Sequence, residues 1–245
     1  MENEIDLKEL EYDFDNFPNI PKELWEYIVN VKDRNIKEEL LPVLMGSSER
    51  KVVLEKIDRL FKVVSEILQL SPSEITKALD FHPNDIGEGR IDAFFAELRT
   101  ISWLHLQKFQ NIKSLRAASK KRSDIYAEFN SSKYIVEVFC MIQGNYEWPN
   151  PPNRSYDLIQ YYITRAEEKK KQIDETAKDF GCDKKILALV LDYKREVALH
   201  GRSDFLKKLQ CISNRLNWGE SYHFALITGM VTSGEGLDDV VYPDI

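Results

Sequence analysis

SDIYAEFNSSKYIVEVFCMI, residues 123–142, reads as strand, turn, strand, and it decides the fold. Tyr, Ile, Val and Phe favour a pleated strand, and Asn130-Ser131 supplies a two-residue turn. That turn pairs Phe129 with Ser132, Glu128 with Lys133, Tyr126 with Ile135 and Asp124 with Glu137. Glu128 and Lys133 then form a cross-strand ion pair. One face carries Ile125, Ala127, Phe129, Tyr134, Val136, Val138 and Cys140, apolar apart from one phenol and suited to packing on helices. The other face sets Asp124 beside Glu137. Like charges placed opposite one another are unfavourable, so the pair is best understood with a cation between the two side chains.

Outward from the hairpin, the chain alternates helix and strand. Ile91, Phe94, Phe95, Leu98, Ile101, Trp103 and Leu104 recur at helical spacing over about 91–110, with Glu97 bordering the buried stripe. A short strand is expected over 112–118. The segment 143–152, rich in Gly, Pro and Asn, breaks the chain before a long polar helix over 154–180. Ile186 to Leu191 is continuously apolar, as in a strand buried on both faces. A helix over 202–216 and the run HFALITGM (223–230) follow, with an edge or loose acidic tail after Gly234. Upstream, Pro21 opens a helix to Val31, Ile36–Met45 forms a second, and Ser47/Ser48 opens a third that ends before Ser71-Pro72. Ser73-Glu74-Ile75 starts a fourth, stopped by His82-Pro83-Asn84. The expectation is a helical accessory region over 1–90 and an α/β domain over 91–245, a central mixed sheet flanked by helices.

The 245 residues carry a net charge of −7, but unevenly: residues 1–90 hold 20 acidic and 12 basic side chains, and the rest is nearly balanced. Arg99, Lys108, Lys113, Arg116, Lys120, Lys121 and Arg122 form a locally basic strip ahead of the hairpin, either a phosphate-holding surface or a solvated face. No run of about 18 apolar residues occurs, and the acidic start MENEIDLKELEYDFD is unlike a signal peptide, so a soluble cytoplasmic protein is expected. Cys140, Cys182 and Cys211 suit neither a disulfide framework nor a zinc knuckle. His105, His200 and His223 have no partners at metal-binding spacing. Gly234-Glu235-Gly236 precedes no helix and is not a phosphate loop.

A helical Glu97, then Asp124 and Glu137 on hairpin strands, then an α/β continuation, resembles the PD-(D/E)XK nuclease superfamily, the restriction-endonuclease-like fold, over about residues 91–230. The resemblance implies Mg²⁺ or Mn²⁺ held by Asp124, Glu137 and Glu97, and hydrolysis of a nucleic-acid phosphodiester, DNA in preference to RNA. It departs from the motif at two positions: Ser123 stands where Pro is frequent, and Phe139 where the family has Lys. That lysine orients water and offsets phosphate charge, and phenylalanine does neither. Arg122, opposite position 139 in the register, is the expected replacement cation; Lys169, Lys170 and Lys171 are further candidates, and Lys133 is committed to Glu128.

Taken singly, Glu97 fits a half-exposed helix residue and Asp124 a turn former. Glu137 is harder to dismiss, because a charge among Ile135, Val136, Val138 and Phe139 is costly unless paired. Two functions of different classes follow: a Mg²⁺-dependent nuclease with Asp124, Glu137, Glu97 and Arg122 as its working residues, or a member that no longer cuts and serves as a nucleic-acid-binding or protein-interaction module. In either case the helical N-terminal region is the expected contact for a protein partner or a second copy.

Overall fold

The computed structural model describes residues 16–33, 50–87, 89–116, 122–140, 154–191, 201–229 and 239–245. Four helices come first: α1 (Lys22–Asp33), α2 (Arg50–Leu68), α3 (Pro72–Ala78) and α4 (Arg90–Leu106). The strands β1 (Gln110–Ser114), β2 (Ile125–Phe129) and β3 (Ser132–Cys140) follow, then α5 (Arg154–Phe180), β4 (Lys184–Leu191), α6 (Arg202–Leu216), β5 (Tyr222–Thr228) and β6 (Val240–Tyr242). The six strands form one sheet in sequence order. β1, β2 and β3 are antiparallel, β3, β4 and β5 parallel, and β6 closes the far edge antiparallel to β5. This is an α/β protein with a mixed sheet between helical layers. The expected helix over 36–45 lies outside the described residues, as does Gly234-Glu235-Gly236.

The hairpin register is the one its turn dictates. Phe129 pairs with Ser132, Glu128 with Lys133 and Tyr126 with Ile135. Asn130 (φ 47°) and Ser131 (φ 65°) both have positive φ, the backbone that a type I′ turn demands and that matches strand twist. The ladder ends at Ile125–Val136, however, one residue short of the expected Asp124–Glu137 pair. At Asp124 the strand bends. Its N–H donates to Val136 O (3.2 Å), and its side-chain Oδ2 accepts the Val138 N–H (2.7 Å), replacing a backbone partner with a carboxylate.

Alternation along the strands divides the interior into two layers. Ile125, Ala127, Tyr134, Val136, Val138 and Cys140 face the first, with Ile186, Ala188, Val190, Ala225 and Ile227, against α1, α2, α3 and α4. Ile135, Phe139, Leu187, Leu189, Leu191, Phe224 and Leu226 face the second, against α5 and α6. The helices before Arg90 thus share a core with the sheet. An aromatic run joins them to α4: Phe81 stacks on Phe94 at 4.3 Å, and Tyr27 and Phe61 tilt against those rings at 5.3 and 5.9 Å. Such pairs add about 0.5–1.5 kcal/mol each beyond their burial.

Candidate active site

The site lies where β2 begins and β3 runs on past it, between α4 on one face and α5 on the other. Each of these elements delivers one buried carboxylate or its partner. Glu97 is 3 % exposed on the sheet-facing side of α4, Asp124 sits at the bend before β2, and Glu137 is 0 % exposed in the middle of β3. Three buried acids require cations or protons, because an isolated charge in such a setting is strongly disfavoured.

Arg116, just past β1, serves two of them. Its Nη2 lies 2.7 Å from Glu97 Oε1 and 2.9 Å from Asp124 Oδ1. Leu115 N–H donates to Asp124 O (2.8 Å), which ties the end of β1 to the bend and sets Arg116 in place. The pairing is incomplete: Glu97 Oε2 and Arg116 Nε are both buried without a hydrogen-bond partner among the described residues. Glu137, projecting from the opposite face, is met by α5. Lys169 Nζ is 2.6 Å from its Oε1, and Gln172 Nε2 lies 3.4 and 3.3 Å from its two oxygens while also donating to Arg122 O at 2.7 Å. Ser123 N–H donates to Thr176 Oγ1 (3.2 Å), a further tie between the bend and α5.

The protonation behaviour follows from this crowding. Burial drives the Glu97 carboxyl well above its ordinary range; Asp124 and, more weakly, Glu137 push the same way, and Arg116 opposes them. Asp124 is raised chiefly by burial, with Arg116, the Val138 N–H and Lys169 pulling it back. Glu137 is pushed up to about 7 by burial and then by Asp124, against the pull of Lys169. Each acid feels at least one other, so the three form one electrostatic unit even though they come from both sides of the sheet.

No protein-family model, curated protein or solved structure matches this chain.

Arg122 and Lys169, both candidate cations for the place of Phe139, lie apart. Arg122 was to project into the gap left by Phe139; instead its guanidinium lies over the Phe180 ring at 5.1 Å, at the far end of α5. Lys169 reaches Glu137 in its place. Phe139 itself is buried edge-on against Tyr162 (5.2 Å) and holds α5 to the sheet. Lys169 had a sequence signal. Leu158, Tyr162, Ile163, Ala166, Ile173 and Ala177 are buried along α5, and Lys169 and Lys170 both stand at helical spacing from them, Lys169 seven residues after Tyr162 and Lys170 seven after Ile163.

The basic strip and the remaining single-residue expectations have different outcomes. The basic strip is no continuous surface among its described members: Arg99 pairs with Asp239 (2.7 Å), Arg116 is in the acid cluster and Arg122 is stacked on Phe180. Lys120 and Lys121 lie outside the described residues. His223 is structural, its Nδ1 2.9 Å from Pro243 O. Cys140, Cys182 and Cys211 are free. No helix among the described residues is long and apolar enough to cross a membrane.

The donor set has the hard oxygen chemistry that Mg²⁺ or Mn²⁺ prefers. Among the described residues no group of three acidic, His or Cys side chains stands together as a metal cage, and Arg116 and Lys169 lie on the carboxylates. One donor stands open to such an ion: Glu97 Oε2 is a buried oxygen with no hydrogen-bond partner among the described residues.

Proposed function

We propose that this chain is a divalent-metal-dependent phosphodiester hydrolase of the restriction-endonuclease-like class, acting on nucleic acid, with Lys169 in the role of the lysine that Phe139 displaces. The observation that carries the reading is the buried pair Glu97 and Asp124 bridged by Arg116, with Glu137 of the neighbouring strand electrostatically linked to Asp124 and met by an ammonium at 2.6 Å. Buried acids that raise one another's proton affinity cost folding free energy and mark sites used for chemistry. The order of elements adds support: a Glu-bearing helix, an antiparallel three-stranded meander, and a helix leading to a parallel fourth strand.

Glu97, Asp124 and Glu137 would hold the metal. Bound there, it would neutralise phosphate charge and acidify a water. The chain's own groups do the rest. The Val138 N–H fixes Asp124 Oδ2, so that carboxylate is oriented before any ligand arrives. Glu137, met by Lys169 and the Gln172 amide, is likewise held in place from the α5 side. Lys169 brings positive charge and N–H donors to the same spot, to orient the nucleophile and offset charge on the phosphate.

The test is Mg²⁺- and Mn²⁺-dependent cleavage of single- and double-stranded DNA and RNA by wild type, Asp124→Asn and Lys169→Met. The expected result is cutting of DNA by wild type and a loss of at least ~100-fold in each variant, in line with removal of a charge-stabilising group. Metal-independent cutting, or equal rates in all three proteins, would overturn the assignment. A second reading, a module that binds without cutting, is favoured by one observation: Arg116 already neutralises two of the three acids. Nucleic-acid binding with no cleavage by any of the three would select it.

A further inference from the structure

Arg116 occupies the place where a cation would bind Glu97 and Asp124. We propose that its guanidinium is a resident counter-ion that a divalent metal must displace, so that Arg116 and the metal are mutually exclusive occupants of one position; this rests on the reading of the acid cluster as a metal-dependent hydrolase site.

Four features of the contact support exchange rather than a permanent pair. Both carboxylates are reached through a single nitrogen, Nη2, where a strong arginine–carboxylate pair uses two parallel N–H donors. Arg116 Nε is buried with no partner, so the guanidinium gives up hydrogen bonding to be there. Glu97 Oε2, equally buried, accepts nothing and is left for an ion to bind. The side chain is also 28 % exposed, against 3 % for each of its two acids, so the guanidinium has a route to solvent that they lack.

Distance and charge agree. The contacts of 2.7 and 2.9 Å exceed a Mg²⁺–oxygen bond by less than about 1 Å, so an ion in the place of Nη2 asks only a small inward movement of each oxygen. Asp124 is held from its other side by Val138 N–H at 2.7 Å, which keeps its carboxylate in place while the occupant changes. Arg116 and Lys169 together bring two positive charges to the cluster; a divalent ion beside Lys169 brings three, enough for Glu97, Asp124 and Glu137 all to be ionised.

The experiment is calorimetric titration of Mn²⁺ into wild type, Arg116→Met and Arg116→Met/Asp124→Asn, with folding checked by circular dichroism. Mutual exclusion predicts that Arg116→Met binds Mn²⁺ at least tenfold more tightly than wild type, and that the double variant loses this site. Equal affinity in wild type and Arg116→Met, with binding lost in the double variant, would overturn the exclusion while leaving the metal-dependent reading intact. Absence of binding in both wild type and folded Arg116→Met would overturn the exclusion together with that reading. Should Arg116→Met fail to fold, wild type decides: on Mg²⁺ titration the arginine Nε–Hε resonance assigned to Arg116 by Arg116→Lys must shift, and an unmoved resonance at saturating Mg²⁺ contradicts displacement.

Discussion

The two sides of the acid cluster solve the same problem with different cations. On the α4 side, Arg116 spans Glu97 and Asp124 from a position fixed by the end of β1. On the α5 side, Lys169 meets Glu137 alone, helped by the Gln172 amide. An arginine stays charged and serves two acids at once, whereas a lysine is a mobile point charge with an amide to back it up. The α4 side is therefore the one whose cation neutralises two acids at rest, and the α5 side the one whose cation serves a single acid. Lys169 sits on a continuous helix whose neighbouring turns are anchored by Tyr162 and Ile173, so it can move without loosening α5.

The sharpest way to break this contrast is to restore the motif lysine. Phe139→Lys removes a buried ring packed on Tyr162 and places an ammonium in an apolar layer, so a loss of about 3–5 kcal/mol is expected in denaturant unfolding. It should bring no gain in cleavage, because Lys169 already holds Glu137; a folded, faster Phe139→Lys would show that the α5 side lacks its cation. Next in size is the comparison of Arg116→Met with Lys169→Met. The first strands two buried carboxylates and should lose about 3 kcal/mol; the second leaves Gln172 on Glu137 and should lose about 1 kcal/mol. Equal losses would erase the distinction between the sides.

A third effect is the pH response of the α5 side. Glu137 binds its proton more tightly folded, up to about 7, than unfolded, where 4.5 is ordinary. Its ionisation thus works against the fold: stability is fullest below about 4.5 and falls as pH rises towards and through 7. Glu137→Gln should flatten that fall by something on the order of 1–3 kcal/mol between pH 5 and 8, read from paired urea titrations. A parallel pH dependence in both proteins would place the titration elsewhere. The smallest expected effect is at the hairpin that supports both sides: Ser131→Gly removes a side chain from a residue at φ 65° and should add about 0.5 kcal/mol. A loss there would mean that the turn does not control the register.

Much of this was legible in the chain because local rules govern it. The turn at Asn130-Ser131 fixed the β2–β3 pairing, the apolar runs 186–191 and 223–228 marked strands buried on both faces, and the stripe on 91–104 gave α4 with Glu97 at its border. What escaped depended on partners distant in sequence. The bend at Asp124 arises from a side-chain bond to Val138, which ends the ladder before the two acids can face each other. Arg116 belonged to a basic run with no hint that it would turn inward, and Arg122 was drawn to Phe180 by a helix end that no hairpin register reveals. Lys169 shares the border of the apolar stripe of α5 with Lys170, so spacing alone does not tell which of the two reaches Glu137.

The central claim is that acids from α4, the start of β2 and β3 form one cation-binding centre. Anomalous diffraction from crystals equilibrated with Mn²⁺ tests it most directly. One peak coordinated by Asp124 and Glu97, with the Arg116 guanidinium swung away, is the predicted result. Maps with Arg116 still bridging the two carboxylates, and manganese absent from the cluster at saturating concentration, would contradict it.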